Sequence, residues 1–332
     1  VSKSALICGI SGQDGSLLAR HLLSLGYRVA GTSRDGDMMR ATNLDLLGIR
    51  DRVSIYSMAT ADFRSIIQTI DRLDIDEIYN LSGQSSVGLS FDQPVETMDS
   101  IAGATLTLLE AIRFLGRPLR FYNAGSSECF GDIGDAPADE NTPFKPRSPY
   151  AVAKATAHWT VANYREAYGL FACTGILFNH ESPLRPARFV TQKIARAAHA
   201  IAQGDQRRLS LGNLDIWRDW GWASEYVEAM HLMMQQDEPD DYIVSTGQSV
   251  SLRDFVAAAF AAVDLDWQDH VDIDESLFRP TDLRFSGAVA AKARERLGWQ
   301  ARVRGTEVAG RLVAACGDNI AATLDAARAD GQ

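Results

Sequence analysis

Gly9-Ile10-Ser11-Gly12-Gln13-Asp14-Gly15 follows the apolar run Ala5-Leu6-Ile7-Cys8 and leads into Leu17-Leu18, His21-Leu22 and Leu25. The apolar run reads as a buried strand over residues 5–8. The leucine spacing predicts a helix over 14–25, closed by Gly26. Glycines between a strand and a helix permit a tight turn, close backbone approach to a pyrophosphate, and close helix–strand packing. The helix start adds free N–H groups and a positive dipole end. A glycine-rich turn with no ligand is the plainer alternative, but the strand–glycines–helix order favours a dinucleotide site. Gly9, Ser11, Gly12, Gln13, Asp14 and Gly15 are thus candidate cofactor contacts.

Outward from this turn, strand and helix signals alternate. Strands are expected at 28–32, 53–56, 78–81 and 120–124, and helices at 62–72 and 94–115. That alternation implies parallel βαβ units and a doubly wound, Rossmann-type α/β sheet. The second half reads as a helix over 150–168, a strand ending near Phe178, then helices at 189–203, 224–235, 252–263, 289–297 and 307–315. The expected division is a dinucleotide domain over 1–178, with segments returning from the second half, and a smaller α/β substrate lobe over 179–332. The acidic run 237–241 reads as a solvated turn before a strand.

The chain has 332 residues, enough for two domains' worth of core, and a net charge of −10. An acidic balance argues against nucleic acid or anionic membrane as partners, since both reward basic surfaces. The longest later apolar run, 255–263, is too short to span a bilayer, and no cleavable leader pattern surrounds residues 5–8. Cys8, Cys129, Cys173 and Cys316 show neither CxxC pairing nor metal-ligand spacing, so no metal is expected and a reducing, cytoplasmic setting is.

After the second strand, Arg34 suits the 2′-phosphate of NADP, whereas Asp35 beside it suits the ribose hydroxyls of NAD. Arg34 favours NADP; Asp35 leaves NAD open. Further on, Tyr150 and Lys154 stand four residues apart on one helix face. A neighbouring ammonium favours the phenolate of a tyrosine otherwise too weak as a base near neutral pH. Such pairs are common on helix surfaces, so the partner segment decides. That segment is Gly125-Ser126-Ser127-Glu128, at the carboxyl end of an expected strand. Its hydroxyls can hold a substrate hydroxyl, and Glu128 can move a proton on and off carbon. Capping serines and a surface ion pair are the alternative.

These residues, with 77–87 (EIYNLSGQSSV), 142–154 (TPFKPRSPYAVAK), 175–185 (GILFNHESPLR), 189–194 (FVTQKI), 218–221 (RDWG) and 278–282 (FRPTD), run in order along most of the chain. The chain resembles the extended short-chain dehydrogenase/reductase superfamily and, more closely, the GDP-mannose 4,6-dehydratases. The resemblance implies a redox-neutral dehydration: Tyr150, assisted by Lys154, takes the C4 hydroxyl proton while hydride passes to NADP+. Glu128 then removes the acidified C5 proton and helps water leave C6, and the hydride returns to C6. Ser126 stands where the family has threonine, with Ser127 beside it facing the substrate.

It further implies that Leu81, Gln84, Ser85, His180 and Arg185 face the cofactor, and that Asn179, Lys193, Arg218 and Arg279 meet the base or diphosphate of a GDP-sugar. Three of these last four are cations, as a diphosphate needs. For Arg218, stacking on Trp217 or Trp220 is the structural alternative, and His180 could be a core histidine. The cations Arg34, Arg185, Lys193, Arg218 and Arg279 would gather at one cleft, leaving the acid excess outside. A homodimer or homotetramer is implied, with helices 94–115 and 150–168 pairing between subunits. Departures from the family are Arg34-Asp35 in place of two arginines, Met58-Ala59-Thr60 where an acid is usual, and Pro186 in place of glycine. The rival readings are a dehydratase of another GDP-sugar such as a heptose, an epimerase or 4-keto reductase, and a silent dinucleotide-binding sensor.

Overall fold

Ser4–Cys8 (β1) is buried on both faces: Ala5 and Ile7 belong to one core cluster, Leu6 and Cys8 to another. A strand covered on both sides is the mark of a parallel sheet sandwiched by helices. The computed structural model describes residues 2–134, 136–278, 281–317, 320 and 324. After β1 the first half runs α1 (Gln13–Ser24), β2 (Arg28–Ser33), α2 (Thr42–Leu46), β3 (Val53–Ser57), α3 (Phe63–Arg72), β4 (Glu77–Asn80), α4 (Val87–Asp92), α5 (Pro94–Met98), α6 (Ala104–Leu115), β5 (Arg120–Ala124), α7 (Pro149–Tyr168) and β6 (Ala172–Leu177). The second half continues with β7 (Asn179–Glu181), α8 (Val190–Ala202), β8 (Leu209–Leu211), β9 (Trp217–Trp222), α9 (Ala223–Met234), β10 (Tyr242–Val244), β11 (Ser249–Ser251), α10 (Leu252–Ala261), β12 (Val271–Ile273), β13 (Phe285–Ser286) and α11 (Thr306–Gly317).

The main sheet is parallel in the order β10-β6-β5-β4-β1-β2-β3, as the doubly wound reading requires. Its order reverses between β1 and β4, which opens a crevice at their carboxyl ends. β10 returns from the second half to extend the sheet beside β6. The strand expected to end near Phe178 divides there: β6 stays in the main sheet, while β7 pairs with β9 of a second, smaller sheet. β11 and β13 flank β9, and β8 pairs with β12. Among the described residues, no helix is long and apolar enough to cross a membrane.

Three local expectations change. The helix expected over 94–115 is interrupted by a π-turn at Asp99–Gly103. The turn presses backbone on backbone: a Cβ on Gly83 would lie 2.8 Å from the Ser100 carbonyl oxygen. The Gln84 N–H donates to Ser100 Oγ at 3.3 Å, and Thr105 Oγ1 donates to the Ile101 carbonyl at 2.7 Å. The helix expected over 289–297 begins only at 291, because the Val289 N–H is drawn to the Ala138 carbonyl (2.9 Å). The acidic run at 237–241 is more than a solvated turn. Asp241 takes a two-pronged contact from Arg165 (3.0 and 2.7 Å) and the Thr174 N–H (2.7 Å), tying α7, β6 and the approach to β10.

Arg165 and Asp241 are both mostly shielded from solvent. Removing one partner strands the other, so Arg165→Met should destabilise the fold by about 3 kcal/mol. Urea denaturation at neutral pH checks this, and an unchanged midpoint would refute it.

Candidate active site

The first turn closes on itself by sterics. Gly9 has φ +84°, and a Cβ there would sit 2.7 Å from the Leu81 carbonyl oxygen. A Cβ on Gly15 would fall 2.3 Å from the Gly9 carbonyl oxygen, whereas one on Gly12 would meet only that oxygen, at 3.4 Å. Gly9 and Gly15 are therefore demanded by the protein itself, while Gly12 leaves space above the turn. No side chain caps α1. An uncapped helix start beneath open space fits a bound pyrophosphate.

Beside it, a cleft of about 480 Å³ opens at the carboxyl ends of β4, β5 and β6. Ser148 caps α7, its hydroxyl accepting the Ala151 N–H at 3.1 Å, and Pro149 starts the helix. This fixes Tyr150 in the first turn and Lys154 one turn on, both facing the cleft. Lys154 Nζ donates to the Ala124 carbonyl at 2.8 Å, and the Ser126 hydroxyl stands beside the Tyr150 phenol. Burial raises the Tyr150 phenol above its ordinary range, a push that the Ser126 hydroxyl opposes. Burial also lowers the Lys154 ammonium to about 8, against the nearby Cys129 and Asp14. Ser126 in turn caps the short helical segment Ser127–Phe130, its hydroxyl accepting the Glu128 N–H at 3.3 Å. Glu128 is half-buried and lines the same cleft.

The opposite wall comes from the second half. Asn179, His180, Arg185, Lys193 and Arg218 all line the cleft, as do Asp14, Leu81, Gln84, Ser85 and Ser127. Several are already engaged. Arg218 donates to the Trp217 and Leu283 carbonyls (2.9 and 2.8 Å) and to Asp282 (3.1 Å). Lys193 Nζ donates to the Ser210 carbonyl at 2.6 Å. Arg185 lies over the Phe189 ring at 3.9 Å and 3.5 Å from the buried Glu181. The Gln84 amide holds its own loop, donating to the Ser86 carbonyl (2.7 Å) and Thr97 Oγ1 (3.2 Å). Asp14 Oδ2 meets His180 Nε2 at 3.0 Å. Burial pushes the Asp14 carboxyl up, but the His180 charge and hydrogen bond overcome that and hold it at about 2.

Ser11 sits in the turn, its carbonyl taking a 3.0 Å bond from Asn43 Nδ2. Arg34 is exposed just past β2 and does not line the cleft, and Arg279 lies outside the described residues. Sequence reasoning missed Glu181, Arg188, Thr191, Asn213 and Asp282, which also line the cleft. Glu181 was findable: it precedes Arg185 by four residues and holds it, while accepting Thr191 Oγ1 at 2.8 Å. Asp282 carries no such signal, because its link to Arg218 spans 64 residues.

A parallel sheet of Rossmann order, with a serine–tyrosine–lysine group at its switch-point crevice and a cation-bearing second lobe, defines an extended short-chain dehydrogenase/reductase acting on a nucleotide sugar. The family model for GDP-mannose 4,6 dehydratase matches residues 6–312, and the chain belongs to that family. It is 46% identical over 311 residues to GDP-mannose 4,6 dehydratase 1 of Arabidopsis thaliana, covering 91% of this chain and 86% of the relative. Against the Homo sapiens GDP-mannose 4,6 dehydratase it is 41% identical over 334 residues, covering 93% and 90%. A dTDP-glucose 4,6-dehydratase from Bacillus anthracis, solved in complex with NAD, shares the fold with a TM-score of 0.81 at 17% identity, over 94% of this chain and 96% of that one.

The two glycine environments separate binding from folding. Gly15→Ala should lose more than about 2 kcal/mol of stability through the backbone clash. Gly12→Ala should unfold within about 2 °C of the parent yet bind a nicotinamide dinucleotide at least about tenfold more weakly, because close backbone approach is blocked. Thermal melts and dinucleotide titration of both variants provide the check; equal melting losses would refute the distinction.

Proposed function

We propose that the cleft converts GDP-mannose to GDP-4-keto-6-deoxy-mannose and water, with Ser126, Glu128, Tyr150 and Lys154 as its catalytic group. The observation that carries this reading is the placement of Glu128 in the same cleft as Tyr150 and Lys154. Oxidising a hydroxyl needs only the latter pair; removing a proton from carbon needs the carboxylate.

When bound, the nicotinamide supplies the acceptor and donor of hydride. The chain supplies the proton chemistry. Ser126, beside Tyr150, holds the C4 hydroxyl, and the Tyr150 oxygen takes its proton. Lys154, fixed on the Ala124 carbonyl, keeps a positive charge beside the phenolate that accepts this proton. With C4 a ketone, the C5 proton is acidic, and Glu128 removes it. The same carboxyl then protonates the C6 hydroxyl, which leaves as water, and the proton held on Tyr150 returns to C5 as C6 is reduced. Ser127, Asn179, Lys193, Arg218 and Arg279 are assigned to the GDP-sugar. The turn from Gly9 to Gly15, with Leu81, Gln84, Ser85, His180 and Arg185, is assigned to the dinucleotide.

The dinucleotide is assigned as NADP. Asp35, the residue that would suit NAD, has one carboxylate oxygen, Oδ1, engaged by both the Asp37 and Met38 N–H groups at 3.1 and 3.0 Å. Arg34, exposed beside it, remains for a 2′-phosphate. Residues 1–178 with β10 are assigned to the dinucleotide half and the rest of 179–332 to the sugar-nucleotide half. Phe114 and Trp159, 69% and 61% exposed on α6 and α7, support pairing of two copies through these helices, as a dimer or within a tetramer. Four unpaired thiols fit a reducing, cytoplasmic setting.

Purified protein should form the keto-deoxy product from GDP-mannose without net change in NADPH absorbance. Turnover of a GDP-heptose alone would move the substrate, and stoichiometric loss of NADPH would make it a reductase. Cofactor binding with no turnover of any nucleotide sugar would make it a sensor. Glu128→Gln should keep GDP affinity and lose on the order of 10³ in kcat; full activity would remove the proposed base.

Lys154 carries its proton below about 8 and loses it as pH rises through that value. Hence kcat/KM should fall on the alkaline side there, and Lys154→Arg, which stays charged, should push any residual activity's alkaline limb upward. An unmoved limb would refute the assignment.

A further inference from the structure

Gln13 and Asp14 begin α1, while His180 and Ser182 belong to and follow β7, on the sugar-nucleotide side of the cleft. The two segments are hydrogen-bonded to each other across 166 to 169 residues of sequence. Asp14 Oδ2 contacts His180 Nε2 at 3.0 Å. Gln13 Nε2 donates to the His180 carbonyl at 3.2 Å, and Ser182 Oγ donates to Gln13 Oε1 at 2.8 Å. Gln192 Nε2 carries the chain onward to α8 by donating to the Ser182 carbonyl at 2.9 Å.

The imidazole is held on every side. Its Nδ1 donates to the Phe178 carbonyl at 2.7 Å, and its ring stacks on Tyr226 at 4.6 Å between centroids. Both ring nitrogens face acceptors, the arrangement of an imidazolium. Gln13, His180, Ser182 and Gln192 are all buried, Ser182 completely. Neither segment can shift alone without leaving buried polar atoms unpaired, which is costly.

We propose that Gln13, Asp14, His180, Ser182 and Gln192 are positioning residues that couple the two ligands of the cleft. A dinucleotide that orders the first turn orders β7 and the start of α8 for the sugar nucleotide, and the reverse. The segment between Ser182 and Gln192 carries Arg185 and Arg188, and Lys193 follows, all lining the cleft. A rigid link at its base therefore sets where the sugar lies relative to the nicotinamide. Linkage makes the coupling reciprocal. The proposal rests on the reading that this cleft binds both NADP and a GDP-sugar.

The test is calorimetric titration of the full chain with NADP+, alone and with saturating GDP, and then with the ligands exchanged. In the parent protein each ligand should tighten the other by the same factor, about fivefold or more. Ser182→Ala should reduce that factor to below about twofold while each separate affinity changes by less than about threefold. In the same variant kcat should fall about tenfold with little change in KM, since misplacement acts on the reacting geometry rather than on binding. Gln13→Met tests the other end should Ser182→Ala not fold, and the double variant should couple no worse than the poorer single one. Independent binding of the two ligands in the parent, or undiminished coupling in both variants, would overturn the proposal and leave the functional reading standing. Failure to bind GDP at all would remove both.

Discussion

Between Gly9, Gly15 and Leu81 there is no room for a single methyl group, and this contact lets β1, β4 and α1 converge where the sheet order reverses. A larger residue at Gly9 or Gly15 would force α1 away from β1 or β1 away from the loop after β4. Either shift would also carry away Gln13 and Asp14, which bond across to His180 of β7 and to Ser182. The crevice thus follows from backbone packing, before any ligand is considered.

Within the crevice, burial works against the charged forms of both Tyr150 and Lys154. Water exclusion strengthens every charge interaction inside the cleft, yet it raises the phenol and lowers the ammonium. The protein meets this with fixed dipoles: the Ala124 carbonyl on Lys154 and the Ser126 hydroxyl beside Tyr150. Both groups lie in one stretch at the carboxyl end of β5, which also carries Glu128. One strand end therefore positions all of the proton chemistry, and the helix α7 needs to supply only two side chains at the right pitch.

The parts legible in the sequence are those fixed by neighbours along the chain. Hydrophobic period, glycines at a strand end and an i, i+4 pair mark the sheet, the turn and the two α7 residues that line one cleft. What escaped is set by contacts distant in sequence. The π-turn at Asp99–Gly103 depends on Gly83 pressing from another loop, which no helical period encodes. The switch of sheets at Phe178 depends on β9, and the late start of the helix near 291 on Ala138. For Arg218 the sequence offers a cation for a diphosphate or a tryptophan partner; its bonds to the Leu283 carbonyl and Asp282 are set by contacts distant in sequence. Gln13 and His180 are each legible in the sequence as candidate cofactor contacts; that they bond each other is a tertiary fact.

A chain of net charge −10 that binds two anionic ligands poses an electrostatic question. Gathering bare cations at the cleft is not the solution adopted here. Lys154, Arg185, Arg188, Lys193 and Arg218 line it, but so do Asp14, Glu128, Glu181 and Asp282. Three of those acids sit within ion-pair distance of a cleft base: Asp14 of His180, Glu181 of Arg185 and Asp282 of Arg218. Such pairing cancels most of the long-range field, so the cleft does little to steer ligands from a distance. It leaves directional contacts at short range instead: the uncapped start of α1, and guanidinium groups already oriented by a carboxylate. Selectivity then rests on geometry, and geometry is what the link between the first turn and β7 controls.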